Sequence, residues 1–390
     1  MKVLVLSRYF YPEGSGKEFA TYLHLKSLAY KGFDVVVLTF TEAREFRSEI
    51  HDYIRIYRFP IPRLSKAKIF EVHHMLFNNY YEKYIQNADA IYIVDRFELL
   101  PFVKRFRKPV VVHLHDYYPF CPNGTLFNMI HKRVCNIITK RSCVECVKYG
   151  TASRALLRIA LSSRYKHFIT RYTDAVLFVS KTHRELILSL YPKLKYINNE
   201  VVYNPLPNLS YVPLEGDDLG YVGGLSIVKG IHILLKAWTR IHRLFTTVRL
   251  RMTKCSSLST TITSKLNIVT YGKLLGKDYE DFFRSIRGVI VPSIWPEPGP
   301  YASVEACLRG RVAIVSNIGG IPEYVGGLPG VYLITPGDVD ELVKTLERVL
   351  FMTRGEVEEL GLKNREIILR KFSNENITNR LVKLFEFVNS

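Results

Sequence analysis

Two glutamates eight residues apart, Glu297 and Glu305, have the type and spacing that most directly suggest chemistry in this 390-residue chain. An ionised carboxylate only accepts hydrogen bonds, so it suits vicinal hydroxyls such as those of a sugar or a ribose. Between the two lies a turn, Pro298-Gly299-Pro300, and Glu305 falls in a run of helical spacing with Ala302, Val304, Ala306 and Leu308. A helix starting there offers free backbone N–H groups to an anion. A surface helix with two solvated glutamates would have the same spacing, so the pair alone does not decide.

The flanking residues supply the positioning. Val289-Ile290-Val291-Pro292-Ser293 reads as a short buried strand ending at a turn. Val312-Ala313-Ile314-Val315 reads as the next strand, closed by Gly319-Gly320. Strand, loop, helix, strand is the unit of a parallel sheet, whose ligands bind beyond the carboxyl ends of the strands. That puts Glu297 at a crevice and turns Glu305 toward it. The same alternation opens the chain, with strands at 2–6 and 34–40 around a helix from about Glu18 to Tyr30, stopped by Gly32. Its loop, Pro12-Glu13-Gly14-Ser15-Gly16, is able to bring backbone close to a phosphate. Further strands are expected at 90–94, 110–113, 175–180 and 201–203. Three prolines in residues 204–218 mark a linker. Beyond it, strands at 220–222, 248–251, 267–271, 289–291, 313–315 and 331–334 and a helix at about 230–244 predict a second doubly wound domain. A last helix is expected at about 374–388, and Asp338-Val339-Asp340 reads as a helix cap rather than a metal motif.

The segment from Glu297 to Glu305 resembles the E-x7-E signature of retaining glycosyltransferases of family 4, also described as glycosyl transferases group 1. The resemblance implies an α/β architecture of the GT-B type, with two doubly wound Rossmann-like domains facing across a cleft. Its implied domains are residues 1–205, on the acceptor side, and 215–373, binding a nucleotide sugar, with the helix at about 374–390 crossing back. By that resemblance Glu297 holds donor-sugar hydroxyls and Glu305 the nucleotide ribose. The run Gly223-Gly224-Leu225-Ser226-Ile227-Val228-Lys229-Gly230 resembles the family's G-R-x-x-x-x-K-G, so Lys229 matches the lysine at the diphosphate. Gly224 stands where an arginine is usual, and a glycine cannot replace a bidentate clamp. His115-Asp116 through Cys121-Pro122 resembles an HDxxxxCP segment, whose histidine reaches the donor sugar and the reaction centre. For His113 a buried structural role is the expectation. The opening loop resembles P-x-x-G-G-x-E, with Ser15 in place of the first glycine and Gly16 as the second. Pro300 has no N–H to give, so Gly299 and Tyr301 are expected to meet the phosphate instead. Gly272, after Tyr271, falls where the base is received. No catalytic nucleophile, cofactor or metal is implied; the nucleotide sugar is a substrate. Chemistry of this kind places negative charge on a departing diphosphate, which needs cations and aligned donors.

Composition sets the wider limits. The hydrophobic share of 47% supplies real cores, and no apolar run is long enough to span a bilayer. The start, MKVLVLSRYF, reads as a first strand and not a signal peptide, so a cytoplasmic protein is expected, at the inner face of the membrane if it docks there. The net charge of +19 is concentrated early: residues 1–200 hold 32 Lys and Arg against 17 Asp and Glu. Such a half implies an anionic partner: a phosphate-bearing or lipid-linked acceptor, a membrane surface or nucleic acid. Residues 151–171 read as a basic amphipathic helix, with Arg154 and Arg158 one turn apart and Leu157, Leu161 and Ile169 on another face; either a membrane or ordinary packing would use it. Residues 53–84 are rich in Tyr, Phe, Arg and Lys. Cys121, Cys135, Cys143 and Cys146 cluster, and a structural zinc, disulfides or plain thiols are all open. Two other classes compete with this one. A Rossmann oxidoreductase or sugar-nucleotide epimerase needs G-x-G-x-x-G after the first strand, which residues 12–18 do not provide. A nucleic-acid-binding protein explains the charge and not the glutamate pair, so nucleic acid is an unlooked-for partner.

Overall fold

The computed structural model describes residues 1–61, 79–135, 143–144, 146 and 152–389. They form two compact units, one of residues 1–124, 136–205 and 373–390, the other of residues 125–135 and 206–372.

The first unit is built on an eight-stranded sheet. Its strands are β1 (Lys2–Leu6), β2 (Asp34–Thr41), β3 (Arg47–His51), β4 (Ile54–Pro60), β5 (Ala90–Ile93) and β6 (Val110–Leu114), followed by β9 (Ala175–Phe178) and β10 (Asn198–Val201). The short pair β7 (Phe127–Asn128) and β8 (Arg133–Val134) belongs to the other unit. The order is β10-β9-β6-β5-β1-β2-β4-β3, parallel throughout except for β3 against β4. Continuous runs such as Val3–Leu6, Val35–Leu38 and Val110–Val112 are fully buried because helices cover both faces of a parallel sheet. The helix Gly16–Tyr30 follows β1; Glu18 accepts from the backbone N of its N-cap residue Ser15 at 2.7 Å and from the Ser15 hydroxyl at 3.0 Å. Gly32, at φ +86, ends it in the left-handed region. The helix Asn374–Asn389 packs within this unit, Phe385 lying 6.3 Å from Phe33 and 5.9 Å from Tyr92 between ring centroids.

Two expectations change here. The last strand of this sheet runs from Asn198 to Val201, not 201–203, because Asn198–Val201 are the residues that pair with Ala175–Phe178. The hairpin β3–β4 extends the sheet where no strand was foreseen; β4 pairs in parallel with β2, and β3 is the edge strand among the described residues. Part of the aromatic-basic stretch is therefore sheet; residues 62–78 lie outside the described residues.

The second unit has six parallel strands: β11 (Asp218–Tyr221), β12 (Leu250–Met252), β13 (Ile268–Thr270), β14 (Ile286–Val291), β15 (Val312–Ser316) and β16 (Val331–Ile334). Their order is β13-β12-β11-β14-β15-β16. Its core gathers Leu219, Leu234, Trp238, Leu250, Ile290 and Ile314, and Phe127 of β7 joins it. Trp238 is fully buried and satisfies its indole N–H on the Leu266 carbonyl at 2.7 Å. Asp338 caps the helix Val339–Phe351 by accepting from the Glu341 N–H at 2.9 Å, as its sequence suggested. In this sheet the chain runs outward from β11 through β12 to β13, then returns to β14 on the other side. The strand order thus reverses between β11 and β14, and in open α/β sheets ligands bind outside the carboxyl ends of the strands at such a point.

Candidate functional site

At that reversal the loops after β11 and β14 meet. Gly230, at φ +76, passes so close to Pro292 that an added Cβ would lie 1.8 Å from its carbonyl oxygen. The Ile294 N–H donates to the Val228 carbonyl at 2.9 Å, which locks the two loops together. This contact brings Lys229 over the Trp295 ring, 5.2 Å from its centroid, and sets its ammonium 2.8 Å from Glu297 Oε2. The Ser293 hydroxyl donates to the other carboxylate oxygen of Glu297. Glu297 is buried, at 4% exposure, yet it is partnered on both oxygens, which is what a buried carboxylate requires. Behind it the Gly319-Gly320 turn fixes the backbone. Gly320 N–H donates to the Glu297 carbonyl at 2.7 Å, and a Cβ on Gly319 would lie 2.6 Å from the Glu297 nitrogen.

Glu305 lies on the helix Tyr301–Leu308, half-buried. Tyr279 donates to its Oε2 at 2.8 Å. Burial raises the Glu305 pKa, while the Tyr279 hydrogen bond, Arg309 and Lys254 pull it back down. Tyr301, at the first turn, is half-buried, and burial pushes its hydroxyl well above the usual phenol value. Pro300 is the N-cap of this helix and has no N–H to offer, so the backbone donors nearest its start belong to Gly299 and Tyr301. Gly272 is exposed beyond β13, with nothing within 4 Å of where a Cβ would stand. Gly224 adopts φ +66 beyond β11, and its carbonyl accepts from the Tyr221 hydroxyl at 3.0 Å. The structure therefore gathers Gly224, Lys229, Gly272, Glu297, Gly299, Tyr301 and Glu305 along the carboxyl edge of one sheet. Tyr279, Arg309, Trp295 and Ser293 complete the surroundings of the two glutamates, and the sequence reading had not singled them out.

In the first unit the strand order reverses between β5 and β1. Gly16 opens the helix there, and beside it Lys17 is 2.6 Å from Asp95 Oδ2. Burial opposes the Lys17 charge, but Asp95, Asp116 and Glu18 together raise its pKa above the ordinary lysine value. His115, just past β6, is half-buried, and its Nε2 has no hydrogen-bond partner among the described residues. Burial, then His24, Lys17 and His183, hold its pKa well below the ordinary histidine value. His115 is therefore a neutral ring. His113 is fully buried beneath it, 4.3 Å between ring centroids, and hydrogen-bonds Tyr92 through Nδ1, in keeping with a structural role.

Cys121 and Cys146 are buried, and Cys135 and Cys143 are half-buried. Asn123 Nδ2 contacts Cys146 Sγ at 3.3 Å. Among the described residues no three metal-ligating side chains stand close enough to hold an ion. Among them, too, no helix is long and apolar enough to cross a membrane.

Comparison with known proteins follows the same division. Residues 15–207 match the family model described as Glycosyltransferase Family 4, and residues 216–351 match Glycosyl transferases group 1. A lipopolysaccharide 1,2-N-acetylglucosaminetransferase of Salmonella typhimurium is 27% identical over 195 residues, covering 45% of this chain and 51% of that enzyme, so the match spans about half of the relative's length. Among solved structures, sucrose-phosphate synthase of Thermosynechococcus elongatus superposes with a TM-score of 0.73 at 18% identity, over 99% of this chain and 98% of its own. Anabaena HepE, solved in complex with UDP-glucose, gives 0.66 at 17% identity, over 99% of each chain.

Proposed function

Since this chain belongs to the glycosyltransferases of family 4 and has the GT-B fold, we propose that it transfers a sugar from a nucleoside diphosphate sugar to a phosphate-bearing, lipid-linked or glycan acceptor, with retention of configuration. The observation that carries the reading is the pair Lys229 and Glu297 at the strand-order reversal, with Glu305 on the following helix.

In this reading Glu305 accepts from the ribose hydroxyls and Glu297 from hydroxyls of the sugar. Lys229 and the N–H groups of Gly299 and Tyr301 meet the charge that develops on the diphosphate as it leaves. The bond from the sugar's anomeric carbon to the phosphate oxygen breaks, and a bond to the acceptor oxygen forms on the same face. The acceptor's proton passes to the departing phosphate oxygen, so no protein nucleophile is needed. His115 serves as a neutral hydrogen-bonding group in the transfer. Side-chain cations suffice for the phosphate charge, so EDTA should leave the rate unchanged.

The Anabaena structure contains UDP-glucose, which makes UDP-sugars the first donors to try. The Salmonella relative is named for lipopolysaccharide synthesis, which supports a glycan or lipid-linked acceptor. The charge of residues 1–200 supports an anionic acceptor and action at the inner, cytoplasmic face of a membrane. A panel of UDP-, GDP- and ADP-sugars tests the reading by thermal stabilisation and by slow donor hydrolysis, with NMR of the released sugar reporting its anomeric form. Failure of every nucleotide sugar to stabilise or react would remove the assignment; release of the inverted anomer would remove retention alone.

A further inference from the structure

The missing arginine at Gly224 leaves one diphosphate cation where two are usual, and the structure offers a replacement from a different strand. We infer that Lys254, two residues beyond the end of β12 at Met252, supplies the second cation to the diphosphate of the bound nucleotide. The inference rests on the nucleotide reading of this site and names a residue that the reading does not include.

Position is the first argument. A Cβ built on Gly224 would lie 3.6 Å from the Lys254 Cβ and 3.5 Å from its carbonyl oxygen. A side chain from Gly224 and the side chain of Lys254 would therefore start from neighbouring points at the same sheet edge. The Lys254 backbone is fixed on both sides. Thr253 N–H donates to the Tyr221 carbonyl at 3.0 Å, Lys254 N–H to the Gly272 carbonyl at 2.9 Å and Cys255 N–H to the Tyr271 carbonyl at 2.9 Å. The residue thus joins the Gly224 loop to the Gly272 loop, the two places expected to receive phosphate and base.

Backbone strain is the second. Lys254 has φ +58, in the left-handed region that costs an L-residue with a Cβ and that glycine or asparagine fills more easily. Strain held at a ligand-facing edge is a recurrent mark of function.

Charge is the third. Lys229 already faces Glu297 at 2.8 Å, so that pair adds no net positive charge to the crevice. Lys254 is exposed and makes no ion pair among the described residues. Its field reaches Glu305 and lowers that carboxyl's pKa. A departing diphosphate would then meet one uncompensated cation in addition to the shared one.

Calorimetric titration with UDP, GDP and ADP, and with uridine, guanosine and adenosine, tests this on the full chain. Lys254→Gly removes the cation and suits φ +58, so folding is not put at risk. Affinity for whichever diphosphate binds should fall roughly 10- to 100-fold, in the range expected for a hydrogen bond to a charged group. Affinity for the matching nucleoside should change less than about twofold, and Lys254→Arg should keep most of the diphosphate affinity. Native affinity for the diphosphate in Lys254→Gly would overturn the inference, as would an equal loss for the nucleoside. If the native chain binds none of the three diphosphates, the nucleotide reading falls and this inference with it.

Discussion

Lys229 and Glu297 hold each other at the strand-order reversal of the second unit, ammonium to carboxylate at 2.8 Å, with Trp295 beneath the lysine and Ser293 on the far oxygen. The pair is one-sided in its exposure: the lysine side chain is 32% exposed and the glutamate 6%. Removing the lysine therefore strands a buried carboxylate, whereas removing the glutamate frees a solvated cation. Lys229→Ala should lower kcat/KM by roughly 10²-fold, at least as much as either glutamate change. Glu297→Ala should mainly lower turnover, since its partner is the reacting sugar. The two should couple by roughly 0.5–3 kcal/mol in a double-mutant cycle on donor binding. Additive losses would show that the two do not act as one unit.

Glu305 should give nucleotide binding a distinct acid limb. Its folded pKa is raised by burial, so lowering the pH neutralises it earlier than an exposed glutamate and weakens binding to the ribose. Tyr279→Phe removes a hydrogen bond that favours the charged form, so the limb should move to still higher pH. Glu305→Ala should cost roughly 1.5–3 kcal/mol of nucleoside affinity. The raised pKa also has a stability sign. Its contribution is fully present below the unfolded pKa, roughly 4.3, and is lost as pH rises through the folded value. Glu305→Gln should therefore raise Tm at neutral pH, with the gain vanishing in acid. A Gln variant that binds nucleoside normally would take Glu305 out of the ribose site.

Four histidines of the first unit should make it acid-sensitive. Burial lowers the pKa of His24 and His183 to about 3, and burial with neighbouring charge holds His113 and His115 well below the ordinary value. Each is neutral when folded and protonates near 6.5 when unfolded, so the unfolded state binds more protons below that pH. Stability should fall as pH drops through 6.5, each ring approaching about 1.4 kcal/mol per pH unit. Urea midpoints at pH 7.5 and 5.5 measure it. Equal midpoints would mean the rings are solvated or share protons with partners.

Gly224→Arg restores the family's usual residue but into a left-handed backbone at φ +66. It should cost about 1–2 kcal/mol of stability, read from denaturant midpoints. Beside a native Lys254 it should add little donor affinity; in a Lys254→Gly background it should recover part of the loss. Equal gains in both backgrounds would mean that the two positions serve different parts of the ligand.

The helix Ala152–Tyr172 buries Ser162, Tyr165 and Ile169 and exposes Leu156, Leu157, Arg158, Arg164 and Arg171. Leu157 was expected to share a face with Ile169; it is instead 51% exposed, next to the cations. The side chain of Arg154 lies outside the described residues. Leucines flanked by arginines suit an anionic bilayer, each cation adding about 1 kcal/mol near the surface. Sedimentation with phosphatidylserine-containing vesicles should show binding that fades with salt and with Arg158→Glu plus Arg164→Glu, while donor hydrolysis survives. Equal binding to neutral vesicles, or none to either, would favour a soluble acceptor.

Much of this site was legible in local sequence. The spacing of Glu297 and Glu305, the Pro/Gly turn between them and the buried runs on either side are short-range features, and short-range sterics and periodicity set them. The strands were placed to within a few residues for the same reason. The edge hairpin at 47–60 escaped because one of its strands is exposed along its whole length and carries no apolar alternation.

By itself, then, the sequence determined the α/β alternation and the spacing of the two carboxylates, since each depends on neighbours along the chain. Tertiary structure alone decided that β12 stands beside β11 and β13, which sets Lys254 next to Gly224 and Gly272. It also decided that Tyr279 and Arg309 close around Glu305, and that Lys17 pairs with Asp95 across a strand boundary. Strand order is fixed by how whole faces bury against one another, and no local pattern records which distant loop ends will share an edge.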